Sequence, residues 1–196
     1  MKKIISILLF IACLCTICSC GVKDKFNEVT GRGVDVAPFQ EAIANTNPSS
    51  VIVTIETATE LGELNTVLEV QYQSDTSAVI KYSYERFLPF GEGTDVKETV
   101  SGTVYRYADG TYSEDLGIDF SVIQPGISID LAPIKKIAKV NDAKDLLTAM
   151  IPAATTEAVF GTLYTSDVYF ELDIQGGTVE NIEMTYDNVA VVYNYS

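Results

Sequence analysis

The sequence predicts an α+β fold that is mainly antiparallel β: meanders of short strands, with two or three short helices packed on one side. Three observations predict it. Apolar and polar residues alternate along much of the chain, most clearly where Val168, Phe170, Leu172 and Ile174 alternate with Tyr169, Glu171 and Asp173. Turn-forming groups such as Ala108-Asp109-Gly110, Gly176-Gly177 and Asp187-Asn188 separate these runs. Helical spacing is confined to brief stretches.

The elements follow in order. Pro38 to Asn45 reads as a short helix: Pro38 suits a first helical position, and Phe39, Ala42 and Ile43 share a face. Asn47-Pro48-Ser49-Ser50 breaks it. Val51, Val53 and Ile55 then alternate as in a half-buried strand. After Gly62, Leu68, Val70 and Tyr72 alternate with Glu69, Gln71 and Gln73. A turn at Ser74-Asp75 leads into Ala78 to Phe87, where Ile80, Tyr82 and Tyr84 share one face. A central hairpin region covers 95–131. Glu98 to Tyr107 and Thr111 to Ser113 flank Ala108-Asp109-Gly110, and Ile118 to Ile123 and Ile127 to Leu131 flank Gln124-Pro125-Gly126. Pro133 opens a helical stretch, and Asn141 is placed to cap a further helix from Asp142 to Met150, ended by Pro152. Three strands close the chain: the run from Val168, the run of Ile182, Met184 and Tyr186, and Val189 to Tyr195.

Two stretches are alike. Gly62 to Tyr72 ends Leu-Glu-Val-Gln-Tyr, and Gly176 to Tyr186 ends Ile-Glu-Met-Thr-Tyr; each is followed by a turn and an Ala-Val strand. Two copies of a helix-plus-meander unit, 36–88 and 142–196, are one arrangement the pattern allows. Independent amphipathic hairpins are the other.

The N-terminus carries a different signal. Lys2 and Lys3 precede an apolar run from Ile4 to Cys18, the length of a signal-peptide core and short for a membrane span. Ile17-Cys18-Ser19-Cys20 closes it. This tetrad resembles the lipobox of bacterial lipoproteins, with Cys18 in place of the more usual small or aliphatic residue. The resemblance implies that residues 1–19 are a signal peptide, that Cys20 carries the lipid, and that the lipid bilayer is a partner through acylated Cys20. It places the protein in the cell envelope, at the outer membrane, and leaves the periplasmic and surface faces both open. Residues 20–35 read as a tether, and 36–196 as the ectodomain.

Composition then excludes chemistries. All four cysteines fall within the first 20 residues, and the chain has no histidine. The ectodomain therefore has no disulfide, no thiol nucleophile and no imidazole base or metal ligand. The expectation is a protein without cofactor, without metal and without catalytic residues. Lys and Arg number 13 and Asp and Glu 27; with Lys2 and Lys3 removed, 11 remain against 27, a formal charge of −16. Such a chain repels phosphate backbones, so nucleic acid is excluded as a partner.

Candidate binding residues are the three Tyr-x-Tyr pairs, Tyr82/Tyr84, Tyr105/Tyr107 and Tyr193/Tyr195. Residues i and i+2 share a strand face, so exposed pairs would form an aromatic platform for sugars or an extended peptide. The same spacing also serves cross-strand core packing. Asp109, Glu114, Asp115 and Asp119 cluster without the spacing of a calcium loop. Glu56, Glu85, Glu171 and Glu183 lie on strands, where a hydrolytic pair would need two carboxylates about 5–10 Å apart. Lys135, Lys136, Lys139 and Lys144 concentrate basic charge in an acidic chain, either as a partner surface or as the wet face of an amphipathic helix opposite Ile134, Ile137 and Ala138. The leading expectation is a non-catalytic binding module for a glycan, a peptide or another envelope protein. A secreted inhibitor or envelope assembly factor is the alternative, and a carboxylate-based hydrolase a third.

Overall fold

A computed structural model describes residues 33–90, 94–113 and 128–196. The signal peptide, the lipobox with Cys20, most of the tether, and the strand and turn expected over 118–126 lie outside the described residues.

Nine strands form one sheet, every neighbouring pair antiparallel. In chain order they are β1 (Ser50–Thr59), β2 (Gly62–Tyr72), β3 (Ala78–Phe90), β4 (Thr94–Arg106), β5 (Lys139–Val140), β6 (Leu146–Ile151), β7 (Val168–Gln175), β8 (Thr178–Tyr186) and β9 (Val189–Tyr195). Across the sheet the order is β4-β3-β2-β1-β9-β8-β7-β6-β5. Helix α1 (Ala37–Asn45) precedes β1 and helix α2 (Ala153–Phe160) precedes β7. The mainly antiparallel β expectation holds, and a meander dominates the helices.

Register puts one apolar stripe per strand on the same sheet face. Val53 pairs with Leu68 and with Tyr193, Tyr193 with Ile182, Ile182 with Leu172, and Leu172 with Leu147. Two buried clusters share this face. Over β6–β8, α1 contributes Phe39, Ala42 and Ile43, α2 contributes Val159, and the 3-10 turn Ala132–Ile134 with its preceding Leu131 completes the cover. The second cluster joins Val51, Val53, Leu68, Val70, Ile80, Val104 and Val191. Half-buried Tyr186, Tyr193 and Tyr195 pack against both.

Side chains pin the cover to the sheet. The Gln40 amide donates to Ile129 O and accepts from Leu131 N–H, both at 2.9 Å. Thr46 Oγ1 donates to Ala42 O and accepts Val179 N–H at 2.8 Å, tying the end of α1 to β8. Where the chain enters the fold, Val34 N–H donates to Lys135 O at 2.7 Å, and buried Gly33 with φ +80° makes the approach.

Three expectations need correction. The predicted Asp142–Met150 helix is the strand β6. Asn141 Oδ1 accepts from Asp145 N–H and Leu146 N–H in a turn, and Leu147, Ala149 and Ile151 then face the core with period two. The stretch opened by Pro133 is a 3-10 turn only, so the four lysines do not share one helix. The helix at α2 was not expected; Pro152 serves as its N-cap rather than as the end of a preceding helix.

The strand order also speaks against duplication of 36–88 and 142–196. View the buried face with β1 pointing up, and β2 lies to one side; turn β7 up in the same view, and β8 lies to the opposite side. The two meanders are of opposite hand and do not superpose strand for strand. Both helices, moreover, cover the same half of the sheet.

Candidate functional site

Four of the six tyrosines singled out from the sequence lie on the buried face, in two separate stacks. Tyr82 and Tyr84 on β3 have ring centroids 6.1 Å apart with planes at 28°, and Tyr193 and Tyr195 on β9 are 6.3 Å apart at 11°. Strands β1 and β2 run between them, contributing the fully buried Val51, Val53, Leu68 and Val70. Tyr82 lies over Gly102, its cross-strand partner; a Cβ there would sit 2.7 Å from the Tyr82 Cζ. Glycine at 102 is therefore what lets a tyrosine ring fill the face. Burial pushes the Tyr195 hydroxyl well above the ordinary phenol range.

Tyr105 and Tyr107 behave differently. They are 49% and 51% exposed, and Tyr105 points to the opposite sheet face from the stacks. The single platform imagined for three pairs thus reduces to one accessible pair. The hairpin beyond them is fixed locally: Asp109 Oδ1 accepts from Thr111 N–H and Oγ1, which holds its carboxyl below the usual range. Ser113 N–H donates to Tyr105 O.

The alternation that exposes Tyr105 turns Arg106 inward. Tyr72, Ala78, Arg106 and Tyr112 form one row across β2, β3, β4 and the returning hairpin. Ala78, 2% exposed, is the short member and lets the long side chains on either side of it approach. Burial raises the Tyr72 hydroxyl to about 12, and the Arg106 charge acts against that rise. Arg106 Nε is buried and has no hydrogen-bond partner, and Arg106 enters no ion pair among the described residues. The other basic groups of β3 and β4 do: Lys81 with Glu69, Arg86 with Glu98 and Lys97 with Glu85. Sequence reading passed over Arg106. Its signal was available, because it ends the inward stripe Val100, Gly102, Val104 that faces Tyr82 and Ile80.

The strand acids divide. Glu56 is exposed. Glu85 Oε2 accepts Asn65 N–H and meets Lys97 Nζ, both at 2.8 Å, where the β2–β3 register ends. The Lys97 bond first, then the Asn65 bond, lowers its pKa. Glu171 and Glu183 are direct cross-strand partners, and Tyr169 Oη donates to Glu171 Oε2 at 2.7 Å. That hydrogen bond, then burial and the two carboxylate charges, raises Tyr169 to about 12. No group of three acidic side chains among the described residues is placed to hold a metal ion. Glu114, Asp115 and Asp119 lie outside the described residues.

A scan of known protein families and a search of curated proteins each find no match for this chain.

Proposed function

We propose that this chain is a lipid-anchored protein of the bacterial cell envelope, held at the outer membrane through Cys20, and that it works as a non-catalytic binding module. The anchor rests on the Ile17-Cys18-Ser19-Cys20 tetrad and the basic-apolar leader before it. The binding reading rests on one observation: aromatic and cationic groups concentrate at a single corner of the sheet. Exposed Tyr105 and Tyr107 stand there on one side, and Arg106 with Tyr72 and Tyr112 on the other. Tyrosine offers an apolar ring and a polar tip at small entropic cost, which suits sugar and peptide ligands alike.

The test uses the full-length chain in detergent, probed on glycan and peptide arrays. Binding that falls at least tenfold in a Tyr105→Ala/Tyr107→Ala double variant supports the reading; binding unchanged in that variant removes this corner from it. Labelled palmitate that enters the protein but not Cys20→Ala supports the anchor.

A hydrolase is the second reading, favoured by the Glu171–Glu183 register pair. Direct cross-strand neighbours have Cβ atoms about 4.5–5.5 Å apart, within the coarse range of paired catalytic carboxylates. Glycan turnover abolished by Glu171→Gln would establish it.

A further inference from the structure

We infer that Arg106 is the anchor for a carboxylate-bearing sugar, a uronic acid, held at the Tyr72–Ala78–Arg106–Tyr112 row. This deepens the binding-module reading and rests on it.

Three observations converge on Arg106. Its Nε is buried and unbonded, whereas buried donors are almost always satisfied. Among the described residues it has no acidic partner, in a chain with 27 Asp and Glu to draw on. Each of the other basic side chains of β3 and β4 has found one. An Nε–H drawn out of water without an acceptor is costly, and a ligand oxyanion that accepts it removes that cost.

The row sets the ligand's chemistry. Small Ala78, itself buried, lets the long side chains of Tyr72 and Arg106 draw together over it. Tyr112 stands directly across from Arg106 on the returning hairpin. The planar guanidinium fork matches a carboxylate through two parallel N–H bonds. Flanking phenol rings suit the apolar face of a pyranose. Charge decides between oxyanions. One arginine neutralises one negative charge, and the nearest lysine on β3, Lys81, is already paired with Glu69. A carboxylate is matched by this site; a phosphate dianion would add surplus negative charge to a chain of formal charge −14.

The experiment compares methyl β-D-glucuronide with methyl β-D-glucoside, which differ only by the carboxylate, on the full-length chain in detergent. Inorganic phosphate is the third probe. Isotope-edited NMR follows the Arg106 Nε–H, so the unmodified protein reports even where a variant folds poorly. The glucuronide is expected to shift that resonance, to bind at least tenfold more tightly than the glucoside, and to displace phosphate. Arg106→Gln is expected to lose at least tenfold in glucuronide affinity, and Arg106→Lys to lose less, since it keeps the charge without the fork. Equal binding of the two sugars, or full glucuronide binding by a folded Arg106→Gln, overturns the inference and leaves the binding module standing. Phosphate binding more tightly than glucuronide overturns the choice of anion. An Arg106 resonance unmoved by every probe overturns the site, and the arrays then decide the broader reading alone.

Discussion

Replacing Gly33 by alanine tests how the chain enters the fold. Gly33 is buried at φ +80°, and its Cβ would sit 2.7 Å from the Lys135 carbonyl carbon, closer still to the oxygen, and 3.1 Å from Lys136 N. All three atoms are backbone, so no side-chain rotation relieves the overlap. The left-handed conformation costs a non-glycine residue about 1–2 kcal/mol. Separating the two segments enough to clear the contact also breaks the 2.7 Å bond from Val34 N–H to Lys135 O, worth about 0.5–1.5 kcal/mol. The sum is a loss of about 1.5–3.5 kcal/mol, or a melting point lower by about 3–14 °C for a chain of this size. Gly110 supplies the control: its φ is +85°, but nothing lies within 4 Å of its Cβ. Gly110→Ala should therefore carry the conformational cost alone. Urea denaturation of the wild type and both variants measures the difference. Equal losses at the two glycines would refute the clash, and a Gly33→Ala loss below about 1 kcal/mol would refute the positive-φ argument as well.

Three further outcomes follow from the core and the titrating groups. Leu68→Ala, at a site with no solvent exposure, should cost about 2–5 kcal/mol, while Ile52→Ala, 45% exposed on the opposite face of neighbouring β1, should cost far less; equal costs in denaturant would reverse the face assignment. Glu85 has a folded pKa below its usual 4.5, so its contribution is complete above that pH and disappears as pH falls through the lower folded value; Glu85→Gln should flatten the stability profile across that acid window, as read by thermal melts. Tyr72 and Tyr169 ionise near 12 in the fold and near 10 when unfolded, so the stability they contribute is intact below pH 10 and lost between 10 and 12. Absorbance titration of phenolate should show these two hydroxyls staying protonated above pH 10 until the protein unfolds.

Strands were legible wherever one face is wet. β2, β3, β7, β8 and β9 all show the period-two pattern because their outer residues meet solvent and their inner ones meet the core. The pattern failed at Leu146–Ile151, where Leu146, Leu147 and Met150 satisfy helical spacing as well as Leu147, Ala149 and Ile151 satisfy a strand. What settles it is pairing with β7, a tertiary fact. Helix α2 hid because its sequence, Ala-Ala-Thr-Thr-Glu-Ala-Val-Phe, has no clear apolar stripe; buried Thr156 is tolerated because its hydroxyl donates to Ala153 O and accepts from Tyr164 N–H. At the site, alternation identified which tyrosines share a strand face. It carried no information on which face meets solvent, so the stacks on β3 and β9 were indistinguishable from the exposed pair. Arg106 was overlooked because a lone basic residue between two tyrosines reads as surface until the sheet shows which way it turns.

The place of β9 bears on how the molecule is made. It lies at the middle of the sheet, pairing β1 on one side and β8 on the other, yet it follows the other eight described strands in the sequence. Ser196 O accepts from Ser49 and Ser50 N–H beside it. A nascent chain that has not yet released Val189–Tyr195 holds two half-sheets, one edged by β1 and the other by β8. Both edges present unpaired backbone to any neighbouring chain, and closing the β1 edge takes a long-range pairing of residues 51–57 with 189–195. Assembly of this sheet therefore waits for β9. Until then a holding chaperone or a dilute compartment is needed to keep the two open edges from pairing with the wrong chain.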